Sequence, residues 1–327
     1  MRRREFLCVL GGAAAAWPLA AQSQQTPPPV VGFLSQGTPE ATAALVAAVR
    51  KGLGETGLLE DKDFTSELRW ASNDADRLPR LATDLVQRRV AVIVTLATVA
   101  AARAAKAATM EIPIVFAHGT DPVQAGLVTS LNRPGGNVTG ISSLNLELGS
   151  KWIALVHELL PNAKRVAVLV DLTNGHAARA LITGTQGAAL AIGLQSEFVF
   201  ASDVSEIDAA LAGLGGRAQA LIIQPAVLFL QYREKLAVAA IREKLATLAI
   251  VPEFVKAGGL MSYGSSFIDA HRLAGVYVGR ILSGDKPGEL PVQRASKFNF
   301  AINLKTAKAI GLDIPATLLA RADEVIE

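Results

Sequence analysis

The feature that most constrains this chain is an alternation of short apolar runs with longer amphipathic stretches, which occurs twice along the sequence. In the first series, residues 30–35, 91–95 and 112–117 form apolar runs, and stretches with helical spacing separate them. Apolar runs without period-two alternation are typical of parallel strands that are covered on both faces. This series predicts an open parallel sheet with helices on both sides.

The same pattern begins again after Gly140. Residues 165–171 and 220–224 are its clearest strands, and residues 248–251 follow them after a predicted helix over 228–246. Strands that alternate with helices at this spacing predict the α/β class. A chain of 327 residues is long enough for two such units. We therefore expect an α/β protein with two doubly wound parallel-sheet lobes.

The end of the chain supplies too few strands for a third domain. Residues 260–264 and 297–303 have strand-like patterns, with a predicted helix over 267–283 between them. Such strands would leave bare edges unless they join the existing sheets. We expect the chain to return to the first lobe near residue 258 and to cross back near residue 295. Three connecting strands would then form a hinge, with a cleft between the lobes.

These crossings set the boundaries of the two lobes. The first lobe is expected to comprise residues 29–140 and 258–294, and the second lobe residues 141–257 and 295–327. Each is large enough to bury a core of its own.

Residues 1–23 have the pattern of a twin-arginine export signal. The basic start Arg3-Arg4-Glu5-Phe6-Leu7 precedes an apolar stretch that ends in small residues. The apolar stretch is too short for an ordinary membrane-spanning helix. An ordinary signal with a basic head and an uncleaved membrane anchor are the alternatives. We expect export to the periplasm and cleavage of the signal.

The composition argues against several classes of protein. The 32 Lys and Arg residues nearly balance the 29 Asp and Glu residues, too evenly to indicate a nucleic acid or an anionic membrane as the main partner. Cys8 is the only cysteine and lies within the predicted signal, so disulfides and thiolate chemistry are not expected in the mature chain. The four histidines lack H-x-x-x-H and H-E-x-x-H spacing. We expect neither a metal nor a cofactor.

No catalytic motif is apparent in the sequence. The segment Tyr263-Gly264-Ser265-Ser266 lacks the final glycine of the G-x-S-x-G nucleophile elbow, and neither a phosphate-binding loop nor a dinucleotide fingerprint follows a strand. We expect no catalytic residues. An exported α/β enzyme remains a rival interpretation, which would need a nucleophile with its base or a metal cluster.

Candidate ligand-binding residues lie in or near the loops at the ends of the predicted strands. In open α/β sheets, ligands bind at the carboxyl ends of the strands, where helix N-termini present backbone N–H groups. The candidates are Ser35, Gln36, Gly37, Thr98, His118, Asp121, Asn174, Gln224, Glu253 and Tyr263. Thr98 and Asn174 are equally suited to capping a helix, which is their alternative role.

Three of these candidates have a specific alternative. Asp121 precedes Pro122 and fits both a helix cap and a partner for a ligand ammonium group. Tyr263 lies on a predicted crossing strand, where its ring would pack against a ligand or belong to the core. His118 fits a donor to the ligand or a support of the hinge.

Five segments carry a resemblance to a known family. They are DPVQAGLV (121–128), SLNRPGGNVTG (130–140), AGGLMSYG (257–264), INLKTAKAIGL (302–312) and IPATLLARADEVIE (314–327). In these segments the chain resembles the periplasmic substrate-binding proteins of ABC transporters, whose better-studied members bind aromatic amino acids such as tryptophan. The resemblance implies a type I periplasmic binding fold without catalytic activity. Such a protein would capture a small organic solute, either an amino acid or an aromatic or carboxylate compound, in the cleft between the lobes and deliver it to ABC permease subunits in the inner membrane.

The resemblance, together with the loop placement, also implies how a ligand would be held. Asp121 would receive the ammonium group of an amino acid, and backbone N–H groups of Gly37 or Thr98 would take its carboxylate. The segment Asp171-Leu-Thr-Asn-Gly-His departs from the family, because it lacks the Asn-Pro-rich turn common there. We expect a monomer with a small-molecule solute as its ligand. A ligand-sensing receptor domain without transport is the alternative.

Overall fold

Two β-sheets with helices packed on them make up the structure, a computed structural model that describes residues 27–143, 148–171 and 175–327. The first series comprises β1 (Val30–Ser35), α1 (Pro39–Glu55), β2 (Thr65–Trp70), α2 (Leu78–Gln87), β3 (Val92–Ala97), α3 (Val99–Ala108), β4 (Ile114–His118) and β5 (Val138–Ser142). The second series comprises α4 (Gly149–Leu159), β6 (Arg165–Val170), α5 (Gly175–Ala191), β7 (Gln195–Phe200), α6 (Glu206–Leu211), β8 (Ala220–Ile223), α7 (Val227–Gln231), α8 (Arg233–Arg242), β9 (Ala246–Ala249), α9 (Pro252–Lys256) and β10 (Met261–Ser265). The end of the chain adds α10 (Phe267–Leu282), β11 (Gln293–Arg294), β12 (Phe298–Asn303), α11 (Leu304–Ile310), α12 (Ala316–Leu319) and β13 (Glu324–Ile326).

Each lobe is built on one of these sheets. The first has the strand order β11-β5-β4-β3-β1-β2, and all of its pairs are parallel. The second has the order β13-β12-β10-β9-β8-β6-β7, and its pairs are parallel except that β12 runs antiparallel to β10. The predicted α/β class with two parallel-sheet lobes is confirmed. β12 is reversed because it enters the sheet at the edge where β10 ends.

Strands β1, β3 and β4 of the first sheet are buried on both faces, which explains why they read as continuous apolar runs. Phe33 and Val94 lie in one core with residues of α1 and α10, and Leu34 and Phe116 lie in another with residues of α2 and α3. Full burial of such a side chain contributes about 1.5–3 kcal/mol. Among the helices in the described part of the chain, none is both long and apolar enough to cross a bilayer.

The crossing expected near residue 258 lies further along the chain. β10 pairs with β9 and β12 and so belongs to the second sheet, and the chain reaches the first lobe only after Ser265. The pair Gly258-Gly259 is a tight turn between α9 and β10 and not a linker. A Cβ atom at Gly259 would lie 1.9 Å from the ring of Phe254, so only glycine fits there.

Helix α10 returns to the first lobe and packs unusually closely against α1. A Cβ atom at Gly52 would lie 1.8 Å from the backbone oxygen of Arg272, and one at Gly275 would lie 2.0 Å from that of Val49. Side chains at these positions would force the two helices apart. The glycines therefore allow a backbone contact that fixes α10, and with it the crossing after Ser265, to the first lobe.

Hydrogen bonds join the connections between the lobes. The amide of Ala295 donates to the carbonyl of Ser142 (2.9 Å), and the amide of Ser266 donates to the carbonyl of Lys297 (2.9 Å). Ser142 ends β5, Ser266 follows β10, and residues 295–297 join β11 to β12. The three places at which the chain leaves one sheet for the other thus lie side by side.

Candidate functional site

The carboxyl ends of the two sheets face each other across these connections. The chain leaves β5 and β10 at their carboxyl ends, and β12 begins beside the end of β10, with Phe298 opposite Ser265. Only residues 295–297 separate the end of β11 from β12. We call the carboxyl ends of β1, β3, β4 and β5 the first-lobe edge, and those of β8, β9 and β10 the second-lobe edge. The space between them is the candidate site.

Ser35 ends β1 at the first-lobe edge, and Gln36 and Gly37 follow it. The side chain of Ser35 is buried, and its Oγ accepts the amide proton of Gly37 (3.0 Å). The carbonyls of Gln36 and Gly37 accept from the amides of Asn73 (2.7 Å) and Ser72 (3.1 Å). These bonds fix the loop, in which Gln36 and Gly37 are half-buried.

Thr98 caps helix α3, which is the alternative role that the sequence allows. Its hydroxyl accepts the amide proton of Ala101 (3.4 Å), and its own amide donates to the carbonyl of Leu96 (2.8 Å). Ala97 before it has φ of 64°, a left-handed conformation that is rare for a residue other than glycine. Such strain is frequent at ligand sites.

The structure corrects the expected carboxylate site. The amide of Gly37 already donates to Ser35 and the amide of Thr98 to Leu96, so neither N–H group is free to hold a ligand. Sequence reasoning missed this because both bonds are made within two residues by the chain's own turns.

His118 ends β4 and is only 1% exposed. Its ring stacks on Phe116, with centroids 4.6 Å apart, and its Nδ1 accepts the amide proton of Thr120 (3.2 Å). Burial lowers the pKa of the imidazole from 6.5 to about 4, so the ring is neutral at pH 7. Because Nδ1 is the acceptor, the proton lies on Nε2, which has no partner among the described residues. His118 thus supports the loop that leads to Asp121.

Asp121 does not cap a helix, because residues 122–126 form a turn and no helix lies among the described residues between β4 and β5; its other expected role, as a partner for a ligand ammonium group, is compatible with this turn. Its Oδ1 accepts the amide protons of Val123 (2.8 Å) and Gln124 (3.2 Å). The residue is half-buried beyond the end of β4, on the first-lobe edge. A carboxylate in this position holds a negative charge at the site.

Buried hydroxyl groups near His118 were not among the sequence candidates. The side-chain oxygens of Thr95, Ser142 and Ser143 are buried and have no hydrogen-bond partner in the described part of the chain. The register places Ser142 opposite His118, and the amide of Ser143 donates to the carbonyl of His118 (2.9 Å). The serine that ends β5 and the serine that follows it were the only signal in the sequence.

Gln224 and Glu253 behave differently at the second-lobe edge. Gln224 follows β8, is 5% exposed and lines a shallow pocket between the ends of β8 and β9. Glu253 is exposed in the first turn of α9, and its neighbours Val251 and Phe254 line the pocket in its place. The structure therefore does not bring Glu253 into this pocket.

Tyr263 lies on β10, within the second sheet. Its ring stacks on that of Phe298 (centroids 5.7 Å apart, planes 4° apart) and meets Phe300 edge-on at 6.0 Å. The Nζ of Lys151 lies 5.8 Å from the centroid of the Tyr263 ring. The indole Nε1 of Trp152 donates to the carbonyl of Tyr263 (2.7 Å). Tyr263 is half-buried, so part of this residue is exposed at the surface of the core, beside the ammonium group of Lys151.

The arrangement brings most of the candidates to two opposed edges. The candidates at the first-lobe edge are Ser35, Gln36, Gly37, Thr98, His118 and Asp121. Gln224 lies at the second-lobe edge, and Tyr263 lies on β10 just past Ser262, which is paired with the last residue of β9. Asn174 lies outside the described residues. Within residues 27–143, 148–171 and 175–327, no group of three or more His, Cys, Asp or Glu side chains is placed to hold a metal ion. The site offers hydrogen-bonding groups, a carboxylate, an aromatic surface and a cation.

Comparison with known proteins identifies one family. Residues 33–326 match the model of the family described as ABC transporter substrate binding protein. A tyrosine-binding protein of Clostridioides difficile (strain R20291) is 28% identical to this chain over 263 residues, which are 80% of this chain and 75% of the relative.

Solved structures share the fold. A conserved domain protein from Vibrio cholerae is 28% identical, with a TM-score of 0.80 over 91% of this chain and 99% of its own. An ABC domain from Streptococcus pneumoniae in complex with L-Trp is 24% identical, with a TM-score of 0.81 over 91% of this chain and 100% of its own.

Proposed function

The chain belongs to the family of ABC transporter substrate-binding proteins, whose members are solute-binding proteins and not enzymes, and we propose that it captures an amino acid with an aromatic side chain between its two lobes. The stacked pair of Tyr263 and Phe298 at the second-lobe edge is the observation that carries this proposal. Aromatic rings gain about 0.5–1.5 kcal/mol from such pairing beyond the area that they bury. The similarity to a tyrosine-binding protein supports the same class of ligand.

The charged groups of the ligand have one partner on each lobe. Asp121 receives the ammonium group at the first-lobe edge, where its bonds to the amides of the following turn fix its carboxylate. Lys151, an exposed cation beside Tyr263, takes the carboxylate, since the amides of Gly37 and Thr98 are occupied. A zwitterion with an aromatic side chain matches these three groups.

Binding is coupled to closure of the lobes. Ligand contacts from both edges exist together only when the edges approach, so the ligand stabilises the closed form by its differential affinity for that form. The closed form then delivers the solute to the permease subunits of an importer in the inner membrane. The ligand leaves chemically unchanged.

This role places the mature protein outside the cytoplasm. The twin-arginine pattern of residues 3–7 supports export, although the segment lies outside the described residues. The proposal requires that the signal be removed and that the mature chain act in the periplasm. Cell fractionation with antibody detection tests this location, and recovery of the protein in the cytoplasm alone would contradict it.

A binding screen tests the ligand class. The mature chain is heated with each of the twenty amino acids and with aromatic carboxylates, and each positive result is measured by isothermal titration calorimetry. A ligand at 100 times its Kd adds about 2.7 kcal/mol of stability. We expect stabilisation by an aromatic L-amino acid and no change in the ligand after incubation. The proposal would be contradicted if no aromatic amino acid stabilised the chain, or if the ligand were converted to another compound during incubation.

A further inference from the structure

A pocket at the second-lobe edge combines a mostly apolar lining with two polar residues. It lies where β8 and β9 end, and its lining includes Gln224, Phe229, Arg233, Ile250, Val251 and Phe254. Most of these side chains are apolar, and the pocket is shallow. It fits the outer end of a ligand side chain and not a whole ligand.

Gln224 lines this pocket and carries an unused hydrogen-bond donor. The residue is 95% buried, since its exposed fraction is 5%. Its side-chain nitrogen Nε2 is buried and has no hydrogen-bond partner among the described residues. A buried donor without an acceptor is unfavourable, and native proteins seldom retain one without a use. The backbone amide of Gln224 donates to the carbonyl of Leu169 (3.0 Å), so the side-chain Nε2 is the donor of this residue that has no acceptor among the described residues.

The second polar residue of the lining strengthens the same preference. Arg233 is half-buried, and its Nη1 donates to the carbonyl of Leu230 (3.0 Å). An arginine carries donors only, so the polar atoms that it adds to the pocket also call for an acceptor. The apolar remainder, with Phe229 and Phe254, favours a hydrocarbon or aromatic group behind that acceptor.

We propose that this pocket receives the outer end of the ligand side chain, and that Gln224 selects side chains ending in a hydrogen-bond acceptor, such as a hydroxyl or carbonyl oxygen, over the same side chain without it. The inference rests on the proposed function and adds its specificity. A site built to bond a polar atom rejects the analogue that lacks it, because the buried group of the site is then left unpaired.

The test compares ligands that differ by one oxygen. L-tyrosine and L-phenylalanine are titrated calorimetrically into the mature wild-type chain and into Gln224→Met, which keeps the volume and removes the amide. Gln219→Met is the matched control, because Gln219 precedes the same strand at its opposite end and bonds the amides of Lys164 and Arg165.

We expect the wild type and Gln219→Met to bind L-tyrosine at least about tenfold more tightly than L-phenylalanine, the ratio expected for one buried hydrogen bond. In Gln224→Met the two affinities should come within about twofold. Equal binding of the two ligands by the wild type, which needs no variant, would overturn the inference and leave the proposed function intact. An unchanged ratio in Gln224→Met would do the same. Failure of both ligands to bind the wild type would overturn the proposed function and this inference together.

Discussion

The indole Nε1 of Trp152 donates a 2.7 Å hydrogen bond to the backbone carbonyl of Tyr263. Trp152 lies on α4, the first helix of the second lobe, and Tyr263 lies on β10, the strand that precedes the crossing back to the first lobe. The bond therefore joins two parts of the chain that both adjoin the hinge. It also holds the backbone that carries the proposed aromatic contact.

Replacing Trp152 by Phe should both destabilise the fold and weaken ligand binding. The change leaves the carbonyl of Tyr263 without this donor, which costs about 1–3 kcal/mol in unfolding free energy. Chemical denaturation and calorimetric titration measure the two effects. Trp70→Phe is the control, because Trp70 donates to Thr42 (3.0 Å) within the first lobe. It should lower stability without changing the Kd of the ligand.

The charge of Asp121 should be needed for an amino acid but not for its deaminated analogue. Asp121→Asn keeps an oxygen that can accept the amides of Val123 and Gln124, and it removes the negative charge. We expect binding of an aromatic amino acid to weaken by about 1–3 kcal/mol, the range for a charged hydrogen bond. Binding of the corresponding arylpropionate, which has no ammonium group, should stay unchanged. Equal losses for both ligands would show that Asp121 shapes the loop and does not contact the ammonium.

Lys151 should show the complementary behaviour. Lys151→Met keeps an unbranched side chain near the Tyr263 ring and removes the ammonium that lies 5.8 Å from its centroid. The affinity for the amino acid should fall by about 1–3 kcal/mol, whereas that for the arylethylamine without a carboxylate should not. Lys164→Met, at the start of β6 and away from the second-lobe edge, is the control. If Lys151→Met binds both ligands more weakly, Lys151 acts through the aromatic ring and does not bind the carboxylate.

Stability should fall as the pH drops below 6.5. Burial lowers the pKa values of His118 and His271 from 6.5 to about 4, so both rings are neutral in the folded state, whereas the unfolded chain binds protons as the pH falls below 6.5. Above pH 6.5 the contribution of these histidines to the free energy of unfolding does not change with pH. Between pH 6.5 and 4 each ring lowers the free energy of unfolding by up to about 3 kcal/mol, at about 1.4 kcal/mol per pH unit.

Denaturation midpoints of His118→Gln across this interval should show a smaller slope with pH than the wild type. His157→Gln is the control, because His157 is exposed on α4. Identical slopes for the wild type and His118→Gln would contradict the buried neutral state of His118.

Two glycines of α1 should respond in opposite ways to alanine. Gly52→Ala brings a Cβ atom against the backbone of Arg272, and such overpacking costs about 1–3 kcal/mol. A Cβ atom at Gly54 would have nothing within 4 Å of it, so Gly54→Ala should stabilise the helix by up to about 1 kcal/mol. Thermal unfolding of both variants measures the difference. Similar stability of the two would mean that α1 and α10 are not in backbone contact.

The fold followed from the sequence because hydrophobic periodicity reports burial on one or both faces of an element. The continuous apolar strands predicted parallel sheets, and the sheets are parallel apart from the pair β10 and β12. The crossing predicted near residue 258 comes too early, because β10 belongs to the second sheet and Gly258-Gly259 is a turn within that lobe. Its role as a turn depends on Phe254, whose ring fills the space beside it. The predicted helix over 228–246 is two helices, α7 and α8, with Tyr232 between them.

The site was only partly predictable. Strand ends reach a known edge of a parallel sheet, so the places of Ser35, His118 and Gln224 followed from topology. The occupation of the Gly37 and Thr98 amides did not follow, since it depends on local turn geometry. Lys151 and Trp152 were missed for another reason. Their contacts with Tyr263 join residues more than a hundred positions apart, and no local pattern records them.

The hydrogen bonds among the connections also limit how the two halves of the molecule move. The connections at residue 266 and at residues 295–297 are too short to stretch. The hydrogen bonds from Ala295 to Ser142 and from Ser266 to Lys297 hold the three connections between the lobes side by side. Sliding of one half past the other would break these bonds, whereas a rotation about the line of strands needs only small changes of backbone torsion. For the proposed closure, these bonds thus favour a rotation described by a single swing angle. One distance, measured between spin labels on opposite rims, is enough to follow it.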